Sequence, residues 1–265
     1  MKRKWFQTLI FSTLITFSSI LPAVIIETAH FAELVDYATP DSLVLLDIDD
    51  TLLVPLQTLG TDVWFCHLVK QYAASGVDPR EALEMALMDW KGVRYLTKVS
   101  MVEEGSDRIV KELQQQNIPV MGLTTQSLAL STITTRQLNS LNIDLTRTAP
   151  SSEEFHFLNG QGVLYRKGLL STSGTAKGPA LLKYLDMIGC KPQHIVFIND
   201  KATHLRDVES AVEARGIQFT GLRYSFSDTR VMAFDPEIAD IQWKYSSMGH
   251  ILSDEEARKK VSQIN

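Results

Sequence analysis

The sequence predicts an α/β fold: a parallel sheet with helices on both faces and a small helical block inserted after the first strand. Three observations carry that expectation. Apolar runs around Leu43–Leu46, Ile118–Leu123 and Ile195–Ile198 are short and nearly unbroken, the pattern of strands buried on both faces. Stretches of helical periodicity separate them, and strands alternating with helices pair in parallel. Each run also ends in polar side chains, at the strand end where the reactive groups of parallel sheets gather.

The 265 residues are 45% hydrophobic and 22% charged, the make-up of an ordinary globular chain. That length suits one sizeable domain with an insertion. A formal net charge of -5, with no Lys/Arg run beyond the first four residues, gives no basic field for nucleic acid, so a small-molecule or peptide substrate is expected.

Met1-Lys2-Arg3-Lys4 precedes an apolar stretch from Trp5 to Ile26, which Pro22 and several hydroxyl residues interrupt. A basic start, an apolar middle and small residues near Ala23 predict a secretory signal peptide. Residues 1–29 are therefore set aside as a signal segment. The protein is expected to be exported, periplasmic or secreted, without stable membrane association once the segment is removed. An uncleaved anchor is the competing reading, since such a stretch could cross roughly 30 Å of hydrocarbon. Neither Leu21-Pro22-Ala23 nor Glu27-Thr28-Ala29 fits a small-x-small cleavage pattern well.

Leu43–Ile48 reads as the central strand, with the carboxylates of Asp47 and Asp49 emerging at its C-terminal end. From about 61 to 104 the pattern turns helical, with one segment over 62–74 and a second opened by Pro79 and running through Trp90. This block predicts a helical cap over 56–104, leaving 30–55 and 105–265 for the core. Gly105–Gln116 is an amphipathic helix leading into a strand that ends at Thr124, and Ser131–Leu141 is the next helix. Asn159-Gly160, between Phe155–Leu158 and Val163–Tyr165, predicts a hairpin because Asn-Gly supplies the positive φ of a tight turn. Lys177–Met187 is a helix, Ile195–Asp200 a third apolar strand, 203–214 a helix and Phe219–Leu222 the last strand.

Three strand ends thus deliver Asp47 with Asp49, Thr124, and Asn199 with Asp200, while Lys177 lies between the last two in sequence. Side chains two apart in extended backbone share a face, so Asp47 and Asp49 are expected to point the same way. Carboxylates from two loops suit Mg2+, which takes oxygen ligands and keeps several waters; Asp47, Asp49 and Asp200 are the candidate metal residues. A phosphomonoester repels a bare carboxylate. The metal, Lys177 and polar groups at Thr124 and Thr125 would offset that repulsion, although Thr125 is equally suited to capping the following helix. Asp47 would be the nucleophile, forming an aspartyl-phosphate. Asp49 would protonate the leaving oxygen and deprotonate the attacking water, and Lys177 would also hold Asp47 in place. The expected partner is a small phosphorylated substrate.

Asp47-Ile48-Asp49-Asp50-Thr51 matches the DxDxT signature of the haloacid dehalogenase (HAD) superfamily of phosphohydrolases. Thr124 after Val120-Met121-Gly122-Leu123, Lys177 within Gly174-Thr175-Ala176-Lys177-Gly178, and Asp200 after Ile198-Asn199 resemble its second, third and fourth motifs in the right order, over residues 43 to about 222. The resemblance implies a Rossmann-like core with a cap inserted after the first motif. It also implies phosphatase activity, with Mg2+ held by Asp47, the backbone carbonyl of Asp49, and Asp200. Asp49 is informative, since members without an acid there tend not to be phosphatases. Asp47–Leu53, with Leu59–Phe65 behind it, further resembles a poorly characterised exported bacterial branch. One departure is Asn199, where the fourth motif commonly has an acid; the next acid after Asp200 is Asp207.

Around these residues the expectations are plainer. Asp50 is expected to be solvated or to brace a turn, and Thr51 to hydrogen-bond its own loop. Asn199 keeps an oxygen for a metal or its water, and Asp207 is expected to face solvent. His204 has no necessary part, since the aspartates already supply the proton chemistry. Trp64, Phe65 and Trp90 read as core rather than as a substrate wall. Arg94 and Arg136 are candidate clamps for phosphate or carboxylate. Cys66 and Cys190 show no metal or thiol signature and read as small buried hydrophobes, with their pairing left open. The competing function is a binding or host-interaction protein that keeps the fold with little turnover, because fold alone does not establish chemistry. A phosphotransferase differs only in what attacks the aspartyl-phosphate.

Overall fold

The structure, a computed structural model, describes residues 24–247 and 250–264. The first elements in chain order are β1 (Val24–Thr28), α1 (Leu34–Tyr37), β2 (Ser42–Leu46), β3 (Leu53–Pro55), α2 (Asp62–Ala74), α3 (Pro79–Leu96) and β4 (Val99–Met101). There follow α4 (Ser106–Gln115), β5 (Val120–Thr124), α5 (Ser131–Ser140), β6 (Phe155–Asn159), β7 (Gln161–Arg166), β8 (Leu169–Ser171) and α6 (Lys177–Met187). The last are β9 (His194–Asn199), α7 (Ala202–Glu213), β10 (Gln218–Tyr224), α8 (Asp228–Met232), α9 (Pro236–Tyr245) and α10 (Asp254–Ile264). The signal reading of residues 1–23 lies outside the described residues. Among the described residues no helix is long and apolar enough to cross a membrane.

Eight strands form one sheet in the order β1-β10-β9-β2-β5-β8-β7-β6. Neighbours from β1 to β8 pair in parallel, and the β8–β7 and β7–β6 pairs are antiparallel. Successive side chains of a strand face opposite sides, and β2 shows the consequence. Leu43 and Leu45 join a core cluster with α6 and α7, while Val44 and Leu46 join another with α1, α4 and α5. Helices therefore cover both faces, which is why the strands could be apolar throughout.

β2 lies between β5 and β9. The chain winds outwards through β5 and β8 on one side, then crosses back to β9 and β10 on the other. The reversal beside β2 opens a crevice at the C-terminal ends of β2, β5 and β9, the place where ligands bind in open α/β sheets.

β1 moves the boundary drawn at residue 29. Val24–Thr28 pairs with Thr220–Tyr224 as the edge strand of the sheet, and Ile25 and Ile26 pack against opposite core clusters. The segment set aside as 1–29 therefore overlaps a strand of the sheet from Val24 onward. In sequence the strand is hidden, because its apolar residues continue the apolar stretch before it. β8 is likewise unexpected, only three residues long and paired with β5, as are the short β3 and β4 outside this sheet.

The helical insertion stands on a two-stranded stem, in which Leu53–Pro55 of β3 runs antiparallel to Val99–Met101 of β4. Thr61 caps α2 by accepting the Trp64 N–H at 3.2 Å, and Asp78 caps α3 ahead of Pro79. The C-terminal α9 packs back onto this block: the Trp64 and Trp243 rings are 5.7 Å apart, and the Leu59 N–H donates to Gln242 Oε1 at 2.8 Å. Residues that the sequence placed with the core thus adjoin the insertion. Both cysteines are free, Cys66 exposed and Cys190 half-buried, against the expectation of buried hydrophobes. α2 buries Trp64 and Leu68, and Cys66 falls on the other side of that helix.

Candidate active site

Asp47 is the first residue past β2, anchored by its N–H to the Ile198 carbonyl of β9 at 3.1 Å. Lys177 Nζ donates to Asp47 Oδ1 at 2.7 Å, with the two side chains only 1% and 8% exposed. Lys177 arrives on the first turn of α6. That helix can come so close because a Cβ at Gly178 would stand 2.5 Å from the Asp207 carbonyl oxygen. Asp207 does not simply face solvent: its Oδ2 accepts the Gly178 N–H at 3.0 Å and fixes the start of α6.

Asp49 has different partners. Arg94, fully buried in the last turn of α3, brings Nη2 to 2.9 Å from Asp49 Oδ1, and Gln126 Nε2 donates to Oδ2 at 2.6 Å. Thr134 in turn donates to Gln126 Oε1 at 2.6 Å. Burial raises the Asp49 carboxyl above its ordinary range, with Asp62 and Asp47 adding to the rise and Arg94 and Gln126 opposing it. Of the two candidate arginine clamps, Arg94 holds a carboxylate of the site. Arg136 lies outside it, 3.5 Å from the Tyr95 carbonyl.

Asp50 sits in a turn, one of its two expected places, but is buried rather than solvated, and Thr51 departs from expectation by bonding outside its own loop. Asp50 takes a left-handed φ of 57°, donates its N–H to the Leu53 carbonyl at 3.1 Å and is buried. Burial, then the carboxylates of Asp49 and Asp62, push its pKa up to about 7. Thr51 Oγ1 reaches out of its own loop and accepts the Asp200 N–H at 3.2 Å, tying the loops after β2 and β9 together.

Asp200 is buried and its Oδ1 has no hydrogen-bond partner. Burial and the nearby Asp47 carboxylate push its pKa up. Asn199 is buried and its Oδ1 accepts the Lys201 N–H at 2.7 Å. Lys201 Nζ pairs with Asp62 at the start of α2 and so links this strand end to the insertion. Thr124 is buried and its Oγ1 accepts the Gln126 N–H at 3.1 Å, which shapes the loop that presents Gln126. Thr125 accepts the Gly174 N–H at 2.8 Å through its carbonyl. Burial and Lys177 push His204 down to about 4, so it is neutral at pH 7.

Between the insertion and these strand-end loops lies a cavity of about 750 Å³, with Asp49, Thr125 and Gln126 in its lining. Trp64 and Trp90 are core, as expected, and Trp90 also borders the cavity together with the half-buried Phe65. Arg94 and Asp62 acquire their roles only in three dimensions. A lone arginine in the last turn of a helix carries no signal that names its partner.

A family model described as "Protein of unknown function (DUF2608)" matches residues 27–258. The chain belongs to this family. The DUF2608 chain is 25% identical over 256 residues to a Chlamydia pneumoniae protein named "Putative outer membrane protein", covering 92% of each chain. It is 23% identical over 207 residues to a Chlamydia trachomatis protein of the same name, covering 76% of each. Among solved structures it is similar to a HAD-superfamily hydrolase from Ehrlichia chaffeensis, with 15% identity, a TM-score of 0.40, and 74% of this chain and 96% of that one covered. A haloacid dehalogenase-like hydrolase from Streptococcus pneumoniae is similar at 13% identity and a TM-score of 0.43, with 72% and 97% covered. Likenesses of that size carry no argument; the strand order itself defines the fold.

The donor set of this DUF2608 chain fits a hard divalent cation. Asp200 Oδ1 is a buried acceptor without a donor, and the proximity of Asp47 makes two adjacent carboxylates costly unless a positive charge joins them. Among the described residues no group of three or more His, Cys, Asp or Glu side chains could hold a metal. Two carboxylates remain sufficient for Mg2+, which binds through one or two together with substrate oxygens and water.

Proposed function

We propose that this protein is an exported, Mg2+-dependent phosphatase that hydrolyses a small phosphomonoester through an aspartyl-phosphate on Asp47. The observation that carries the reading is the buried Lys177–Asp47 pair at the end of β2, beside an Asp200 carboxylate whose Oδ1 is unpartnered. Asp47, Asp200 and the backbone carbonyl of Asp49 would hold Mg2+, which supplies charge neutralisation for the phosphate oxygens. Lys177 orients Asp47 and adds a second positive charge, and polar groups at Thr124 and Thr125 face the phosphate. The Asp47 carboxylate attacks phosphorus as the bond to the leaving oxygen breaks, and Asp49 gives that oxygen its proton. Asp49 then takes a proton from water, the water oxygen attacks phosphorus, and phosphate leaves with Asp47 regenerated. Export is read from the charge order of the N-terminus and agrees with the name given to the chlamydial relatives.

The test is phosphate release from a panel of phosphomonoesters by the chain starting at Val24, with and without Mg2+, beside Asp47→Asn. The reading predicts Mg2+-dependent turnover that Asp47→Asn abolishes while thermal unfolding shows the fold retained. A folded wild-type chain that releases no phosphate from any ester would favour a binding role.

A further inference from the structure

One face of α3 runs along the cavity from its rim to the catalytic carboxylate. Leu83, Leu87, Trp90 and Arg94 are spaced four, three and four apart, which sets them in a line on a helix. Arg94 ends the line at Asp49, and Leu83, Leu87 and Trp90 line the cavity. At 1.5 Å per residue the stripe is about 16 Å long. The helix buries Ala82, Ala86, Trp90, Val93 and Arg94, so the stripe shares Trp90 with the packed face of the insertion, and Leu83 and Leu87 are the part of it left open to the cavity. Leu83 is 42% exposed, and Phe65, Leu87 and Leu128 are half-buried around the same space.

The aromatic part of this wall is fixed. Trp90 Nε1 donates to the Thr61 carbonyl at 3.1 Å, and the Phe65 and Trp90 rings stand 5.8 Å apart at 57°. Rings at such spacings attract a further ring by edge or offset contacts. The rest of the lining is polar, with Gln126, Gln161 and Ser173 from the strand-end side and Arg80, Glu84 and Lys91 of α3 beside the apolar stripe. A wall that is aromatic on one side and hydrogen-bonding on the other suits a planar group with a polar edge. A volume of about 750 Å³ is far more than a short alkyl or glycerol group needs.

We infer that the substrate is a phosphomonoester whose leaving alcohol carries an aromatic ring, and that the ring packs on the Phe65–Leu83–Leu87–Trp90 wall. The inference rests on the phosphatase reading. Its test compares kcat/KM for 2-phenylethyl phosphate and ethyl phosphate, whose leaving alkoxides are similarly basic, so that the ring is the main difference. The expected ratio is about tenfold or more in favour of the ring, the worth of one apolar group in a matched pocket. Leu87→Ser should bring the ratio down towards one. Leu83→Ser should lower it as well, at an exposed position where folding tolerates the change. A ratio at or below one with both esters turned over, or a ratio unmoved in both variants, overturns the inference and leaves the phosphatase reading standing. Turnover of neither ester, nor of any other phosphomonoester, overturns the phosphatase reading and the inference with it.

Discussion

Arg94 comes from the end of the insertion and Asp49 from the loop after β2, yet the guanidinium lies 2.9 Å from the carboxylate with no solvent exposure of its own. The charge acts on the residue proposed to move protons. Burial already raises Asp49, and Arg94 opposes the rise, so removing Arg94 raises that pKa further. Protonated Asp49 supplies the first step, and kcat/KM should therefore fall as pH rises through its pKa. In Arg94→Met the alkaline limb of the kcat/KM profile is expected to move to higher pH by about one unit or more. An unmoved limb would reduce Arg94 to packing. At this scale the sequence was most informative where residues are close in the chain or close a strand. Asp47, Asp49, Lys177 and Asp200 could all be named from pattern and order. The partners that tune them could not, since Arg94–Asp49, Thr51–Asp200 and Lys201–Asp62 are made by the folding of distant segments.

The elements tell a similar story. β2, β5 and β9 were legible because both faces are buried, so each reads as a short unbroken apolar run bounded by polar residues. β8 has three residues and no periodicity to read. β1 was masked by its apolar neighbours, and its position makes a direct prediction. It contributes five register positions along β10 and packs Ile25 and Ile26 on opposite sides of the sheet. A chain starting at Val24 should unfold as one cooperative unit. One starting at His30 should lose about 3 kcal/mol or more, the cost of losing two apolar side chains from the core and uncovering the β10 edge, and melt roughly 10 °C lower. Equal melting temperatures would mean that β1 contributes nothing to the folded state.

For the molecule as a whole, the sheet and the insertion divide the labour. The reversal of winding beside β2 brings three strand ends into one crevice, and the two-stranded stem of β3 and β4 holds α2 and α3 above it. Both the parallel sheet and the helical block were visible in sequence as changes of hydrophobic period. The anchoring of the block by α9 through Trp64 and Trp243 was not, because a contact between segments far apart in sequence leaves no local pattern. The arrangement gathers Asp47, its partner Lys177 and the Asp200 carboxylate with an unpartnered Oδ1 at one end of the sheet, with Asp49 held from the insertion side by Arg94. The most direct measurement is to mix the Val24-start chain with a turned-over phosphomonoester and Mg2+, quench in acid during steady state, and map covalent phosphate by mass spectrometry. The account predicts phosphate on the peptide containing Asp47, absent in Asp47→Asn. Steady turnover with no phosphate on that peptide, or phosphate on another residue, would contradict it.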